Sequence, residues 1–175
     1  MLCRNRCLID MLFPFPVPSE SRSDEDPVPH SQTSLSSGPR VFTHLHLHTH
    51  FSLGAGVSSP DVMLEAAATR GYSVLACTDT NGVYGAVEFQ QAALARGIRP
   101  ILGAHLVTPE EEAVVLATDD RGWAALCRAV TAIHWDGRQE TGDGRRETGL
   151  LSSQLAVDRD GLLVISQDIG LLERV

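Results

Sequence analysis

The chain has 175 residues, 43% of them hydrophobic, enough for one ordinary domain with a core of its own. Its formal net charge is −8, so the surface as a whole repels phosphate backbones, and a grip on DNA has to come from another polypeptide or segment. No apolar run approaches the about 18 residues of a membrane span, which excludes that class.

The four cysteines, Cys3, Cys7, Cys77 and Cys127, are scattered, with neither a CxxC pair nor a disulfide framework. Cys77 and Cys127 sit in apolar surroundings and are expected as buried thiols. This usage points to a reducing, cytoplasmic compartment.

Residues 1–40 are rich in Ser and Pro and show no lasting periodicity, so they are expected to be a disordered leader. Arg4 and Arg6 before a short apolar stretch mimic a signal peptide. Asp10 interrupts that stretch, and Pro14, Pro16 and Pro18 end it without a small-residue cleavage site, so secretion is not expected. One hypothesis is a true start codon downstream of this leader; a natural peptide from Ser21 to Arg40 would sink it.

The ordered part, residues 41–175, begins with the alternating stretch Val41 to Leu47, a predicted strand. Ser58-Ser59-Pro60-Asp61 predicts a helix start, with a hydroxyl cap, Pro in the first turn and an acid at the positive helix end. That helix runs to about Arg70, with Met63, Leu64 and Ala67 on one face and Gly71 as its C-terminal cap. Ser73 to Thr78 predicts a strand, Ala86 to Arg96 a helix ended by Gly97, and Ile98 to Val107 a third strand. A strand at Ala113 to Thr118, a helix at about Trp123 to Ala132, a strand at Gly161 to Ser166 and a short helix at Ile169 to Val175 follow. The alternation of strands and helices argues for parallel strands joined by crossover helices. The Pro100 strand and the strand at Leu162 are expected to have unpaired neighbours.

Between them lies a near-perfect tandem repeat, Asp136 to Gly142 and then Asp143 to Gly149. Two short polar units do not make a solenoid, so residues 136–149 are expected to be a flexible loop. Glu110-Glu111-Glu112 reads as a solvated loop. Gly54 and Gly56 suit a turn, with no phosphate-binding fingerprint, and Ser52 reads as a turn hydroxyl lacking triad partners.

His44, His46, His48 and His50 alternate with Thr43, Leu45, Leu47 and Thr49. Residues two apart on a strand share a face, so the imidazoles project together while the leucines pack inward. Neutral imidazole is the commonest metal ligand. A His-rich surface strand is the bland alternative, but four alternating histidines at the end of a first strand favour a site. In parallel α/β barrels the functional groups gather at the C-terminal ends of strands, and His48, Asp79 and His105 all fall at or near such ends.

The segment Phe42 to Gly56, containing His-Leu-His-Leu-His-Thr-His-Phe-Ser, resembles the first motif of the PHP (polymerase and histidinol phosphatase) domain: His-x-His, a Ser four residues on, then Asp-Gly. Cys77-Thr-Asp-Thr-Asn-Gly resembles the second motif, usually Thr-Asp-His before a Gly-containing turn and a helix. Gly97-Ile-Arg-Pro-Ile-Leu-Gly-Ala-His-Leu106 resembles the third, normally Gly-x-Glu. The likeness is greatest to the N-terminal region of the bacterial DNA polymerase III alpha subunit, the error-prone kind included. Tyr84 to Phe89 and Gly97 to Gly103 favour that polymerase branch.

The resemblance implies an α/β fold, a partial PHP-type distorted (β/α) barrel truncated before closure. It implies His46 and His48 as metal ligands, His105 as a third at the position of the family's Glu, and Asp79 as the catalytic acid of the second motif. Ala55 stands where the family has Asp, and Thr80 where it has a ligand His. Ala offers no donor and Thr is a poor ligand for zinc or manganese. The expectation is therefore an incomplete divalent-metal site, of zinc or manganese, holding at most one ion tightly. The implied role lies in DNA replication or error-prone repair synthesis, without polymerase activity of its own. The implied partners are the remainder of the polymerase or other replication proteins, with DNA touched only indirectly. The rival expectation is a free-standing metal-dependent phosphoesterase of the histidinol phosphatase type; a third is a pseudo-enzyme that only binds partners.

Overall fold

A computed structural model describes residues 42–136 and 151–175. The expected leader and the expected loop lie outside these residues, apart from Asp136, the last residue of a helix.

Helix α1, Pro60–Thr69, starts as the sequence predicts: the Ser59 hydroxyl accepts the Val62 N–H and Pro60 fills the first turn. Strand β1 is Val74–Thr80, helix α2 Ala86–Ala95 and strand β2 Arg99–Val107. Gly71 and Gly97, at φ +77° and +70°, follow the last turns of α1 and α2 in the left-handed region that glycine adopts without strain. Strand β3 is Glu112–Ala117, helix α3 Asp120–Asp136, helix α4 Leu151–Val157, strand β4 Leu162–Ile165 and helix α5 Ile169–Arg174. Helix α3 runs beyond both predicted bounds; its earlier start follows from Asp119, whose Oδ1 caps it by accepting the Gly122 N–H at 2.8 Å.

The four strands form one open sheet in the order β1-β2-β3-β4. Only β1 and β2 are parallel; β2–β3 and β3–β4 are antiparallel. The expectation of parallel strands throughout is corrected here, and the reason is connection length. Thr108 to Glu111 join β2 to β3, whereas a parallel return takes a dozen residues or more. Two helices lie between β3 and β4 in the chain, and β4 returns antiparallel to β3.

Strand β2 is interior, not an edge: it pairs with β1 along Arg99 to His105 and with β3 from Gly103 onward. Pro100 precedes the β3 pairing, so its missing N–H breaks no bond there.

The register puts Leu75 and Cys77 on one face with Leu102, Ala104 and Leu106, and then with Ala113 and Val115. This face carries the helices. Leu64, Ala67, Phe89 and Ala93 of α1 and α2 pack on the β1 end, and Leu126, Ala129, Leu151, Leu155 and Leu171 of α3 to α5 on the β3 end. Val83 and Trp123 touch both clusters. Each fully buried Leu or Phe contributes about 1.5–3 kcal/mol relative to exposure. The opposite face carries Thr80 and His105, partners in register.

The expected first strand is not a ladder strand. Residues 42–49 run extended beside β1, where the Ala76 N–H donates to the His44 carbonyl at 3.1 Å and the Thr78 N–H to that of Leu47 at 2.9 Å. Three residues on one side span two on the other, so the ladder cannot continue in register. The Leu47 N–H donates instead to the Thr78 hydroxyl at 2.8 Å.

Cys77 is buried as expected, but Cys127 is only partly covered. Glu111 corrects the solvated-loop expectation: it is buried, accepting the Ser152 N–H at 2.9 Å, the Ser152 hydroxyl at 2.8 Å and the Arg174 guanidinium at 2.7 Å. Burial pushes its carboxyl up, but these three donors outweigh that and hold it below the usual carboxylate range.

Candidate metal centre

The site stands on the face opposite Cys77 and Leu102, where residues 46–48, the end of β1 and the end of β2 meet. His46 and His48, two residues apart on extended backbone, point the same way. The Thr80–His105 pairing brings the third imidazole to them from β2. One ring nitrogen of each of His46, His48 and His105 lies within 4.8 Å of the other two. His46 Nε2 and His48 Nε2 are 2.8 Å apart, and the His46 and His105 ring centroids 4.6 Å apart. Glu112, exposed at the start of β3, puts Oε2 3.7 Å from His105 Nε2.

The other two alternating histidines go elsewhere. His44 Nε2 lies 3.1 Å from the Tyr72 hydroxyl, and the His50 ring lies against Phe51 with centroids 4.3 Å apart.

The turn after His48 is tightly tied. Ser52 N–H donates to the Thr49 carbonyl at 3.0 Å, and the Ala55 and Gly56 N–H groups donate to the Ser52 carbonyl at 3.0 and 2.9 Å. A Cβ on Gly56 would lie 1.8 Å from the Thr49 carbonyl oxygen, so only glycine fits. Ala55 is exposed in this turn and Thr80 ends β1.

Asp79 lies beneath the turn, fully buried. Its Oδ1 accepts the Thr49 N–H at 2.7 Å and the Ser52 hydroxyl at 2.6 Å; its Oδ2 accepts the Thr49 hydroxyl at 2.7 Å. The Cys77 thiol lies 3.6 Å from Oδ2. Burial, and then the neighbouring Asp79 charge, push that thiol far up, so it stays protonated. The described oxygen and nitrogen donors to the Asp79 carboxylate thus come from the turn.

Burial pulls the His48 imidazole below its ordinary 6.5, and His46 adds to this against an opposing pull from Asp79. His105 moves the same way, by burial first and then by His46 and His48, with Glu112 opposing. Both rings therefore stay neutral near pH 7 and keep a nitrogen lone pair free to bind. Three converging imidazoles are a donor set that suits zinc and other first-row divalent ions, so the residues present fit such an ion.

Sequence reasoning missed the parts played by Thr49 and Ser52. The Ser four residues after His48 was their signal, but its partners come from β1, about thirty residues on. It also missed that Glu112 lies beside His105, because the β2–β3 hairpin was not foreseen.

Among the described residues, no helix is long and apolar enough to cross a membrane. Residues 44–170 match the PHP domain family. The chain is 38% identical over 127 residues to the error-prone DNA polymerase of Symbiobacterium thermophilum, covering 66% of this chain and 12% of that protein. It is 41% identical over 100 residues to the error-prone DNA polymerase of Anaeromyxobacter sp. strain K, covering 51% and 9%. The chain thus spans about a tenth of the length of these curated relatives. Among solved structures, it is similar to an amidohydrolase from Chromobacterium violaceum, with bound sulfate and no metal, at TM-score 0.45 and 27% identity, over 54% of this chain and 34% of that one. The match over residues 44–170 takes in both the three-histidine cluster and the sheet that carries it, and the chain belongs to the PHP domain family.

Proposed function

We propose that this chain is the PHP segment of a DNA polymerase III alpha-like protein acting in replication or error-prone repair synthesis. In this reading it is a scaffold with a reduced metal centre and no polymerase activity of its own. The observation that carries it is the 38% and 41% identity to error-prone DNA polymerases. Its partners are then the rest of the polymerase and other replication proteins, in the cytoplasm. The net charge of −8 leaves DNA contact to them.

His46, His48 and His105 would hold one divalent ion, zinc or manganese, through ring nitrogens, with burial favouring the neutral form of His48 and His105. Bound there, such an ion supplies Lewis acidity and lowers the pKa of a bound water. Ala55 offers no donor and Thr80 only a poor one for a second ion. Asp79 holds the 49–52 turn and, with it, the direction in which His48 points.

The second reading, a metal-dependent phosphoesterase of the histidinol phosphatase type, is favoured by the three-histidine cluster itself. The test is hydrolysis of p-nitrophenyl phosphate and of single-stranded DNA ends by the full chain, with zinc or manganese supplied and then chelated. The scaffold reading expects no chelator-sensitive turnover. Turnover that stops with chelator and is absent in His46→Ala would overturn it in favour of the phosphoesterase.

A further inference from the structure

The Ser52 hydroxyl occupies a position that the turn alone does not require. Its oxygen lies 2.6 Å from Asp79 Oδ1, 2.9 Å from the Thr80 backbone nitrogen and 3.1 Å from His48 Nδ1. A hydroxyl has one proton to give. The Asp79 carboxylate accepts only, and it makes the shortest of the three contacts, so the Ser52 proton goes to it. The Thr80 N–H donates to the Ser52 oxygen. One lone pair remains, directed at His48 Nδ1, and a lone pair facing a bare ring nitrogen would repel it.

We infer that Ser52, held by Asp79 and the Thr80 N–H, is the positioning residue that fixes His48 as the Nδ1–H tautomer and so turns a bare Nε2 toward the centre formed with His46 and His105. The Thr80 hydroxyl, 3.4 Å from the same Nδ1, takes a lesser share of that proton. Two further observations agree. His46 Nε2 lies 2.8 Å from His48 Nε2, a contact in which a bare His48 Nε2 can serve as the acceptor. The Thr49 N–H and hydroxyl donate to the same carboxylate, which fixes the relay to the backbone next to His48. The arrangement runs carboxylate, hydroxyl, imidazole, ligand nitrogen, and places a serine where a ligating histidine more often meets a carboxylate or carbonyl directly. In that form His48 would hold an ion through Nε2 without a change of tautomer.

The inference rests on the metal-centre reading for its purpose, and the test separates the two. Long-range proton–nitrogen NMR of the uniformly 15N-labelled, metal-free full chain, above the ordinary imidazole value of 6.5, reads the tautomer directly, with His48→Gln assigning the signal. The expected pattern is a protonated Nδ1 and a bare Nε2 at His48; a predominant Nε2–H form overturns the proposal. Zinc titration of the chain should then show affinity falling about 10- to 100-fold in Ser52→Ala, with the tautomer preference lost, and restored within a few-fold in Ser52→Thr. Unchanged zinc affinity in Ser52→Ala overturns the positioning role. If Ser52→Ala fails to fold, the wild-type tautomer and the Ser52→Thr affinity still decide. Zinc failing to bind a wild-type chain that shows the Nδ1–H form overturns the metal-centre reading, and with it the positioning role, while leaving the tautomer assignment in place.

Discussion

Replacing Asp79 should unfasten the turn that carries the metal centre. In Asp79→Ala four buried groups lose their acceptor: the Thr49 N–H, the Thr49 hydroxyl, the Ser52 hydroxyl and, by the longest and weakest contact, the Cys77 thiol. The backbone N–H cannot turn away, and a buried orphan donor costs about 1–3 kcal/mol; each hydroxyl can rotate but loses a bond worth about 1 kcal/mol. The sum is about 3–5 kcal/mol, a large part of the about 5–15 kcal/mol that holds a domain together. Asp79→Asn differs. Its amide oxygen at the Oδ1 position keeps the Thr49 N–H and the Ser52 hydroxyl, and its NH2 meets a Thr49 hydroxyl that can rotate to accept. The expected loss is then about 1–2 kcal/mol. Urea unfolding followed by the fluorescence of Trp123 and Trp135 reads both variants against the wild type. A loss of under about 0.5 kcal/mol in Asp79→Ala, the range of an ordinary surface substitution, would refute the reasoning. So would an Asn variant less stable than the Ala variant.

Other substitutions probe the same fold. Glu111→Ala should lose about 2–4 kcal/mol in the same urea assay, because the Ser152 N–H and hydroxyl are left buried, whereas Arg174→Ala, removing a half-exposed partner, should lose about 1 kcal/mol or less. Gly56→Ala should cost more than about 2 kcal/mol, since its Cβ would strike the Thr49 carbonyl, and should weaken zinc binding; an Ala variant as stable as the wild type would contradict the turn geometry. His48 and His105 have folded pKa values below 6.5, so the unfolded chain binds more protons as the pH falls. Their contribution is complete above 6.5 and is lost as the pH drops through the folded values. Metal-free protein should therefore weaken on acidification below 6.5 in urea titrations, and His105→Gln should flatten that dependence; identical pH curves for the two would contradict the assignment.

Local chemistry carried much of the fold into the sequence. Ser59, Pro60, Gly71 and Gly97 mark the ends of helices where a hydroxyl acceptor, a fixed φ or a left-handed residue is needed, and those ends stand where expected. What failed was non-local. The antiparallel run of β2 and β3 follows from a connection of Thr108 to Glu111, a length visible in the sequence but overruled by the habit of reading alternation as parallel. Helix α4 was missed because its seven residues span only two turns, with Leu151 and Leu155 as its buried apolar pair, too little for periodicity. Glu111 looked solvated because its partners Ser152 and Arg174 lie about 40 and 60 residues downstream. For the site, the His-x-His spacing announced His46 and His48, and the third motif supplied His105. Nothing local distinguished these from His44 and His50, which differ only in having Tyr72 and Phe51 beside them. Asp79 was legible as a residue that matters, but its attachment to Thr49 and Ser52 depends on how residues 42–49 settle against β1.

The central claim is one metal centre built from His46, His48 and His105. Metal content per chain, measured by mass spectrometry on untagged protein purified without chelator, beside the His46→Ala/His48→Ala variant, tests it most directly. The account predicts one zinc or manganese ion per wild-type chain after addition of the metal, and none in the variant. Two or more ions per chain, or the same content in both proteins, would contradict it.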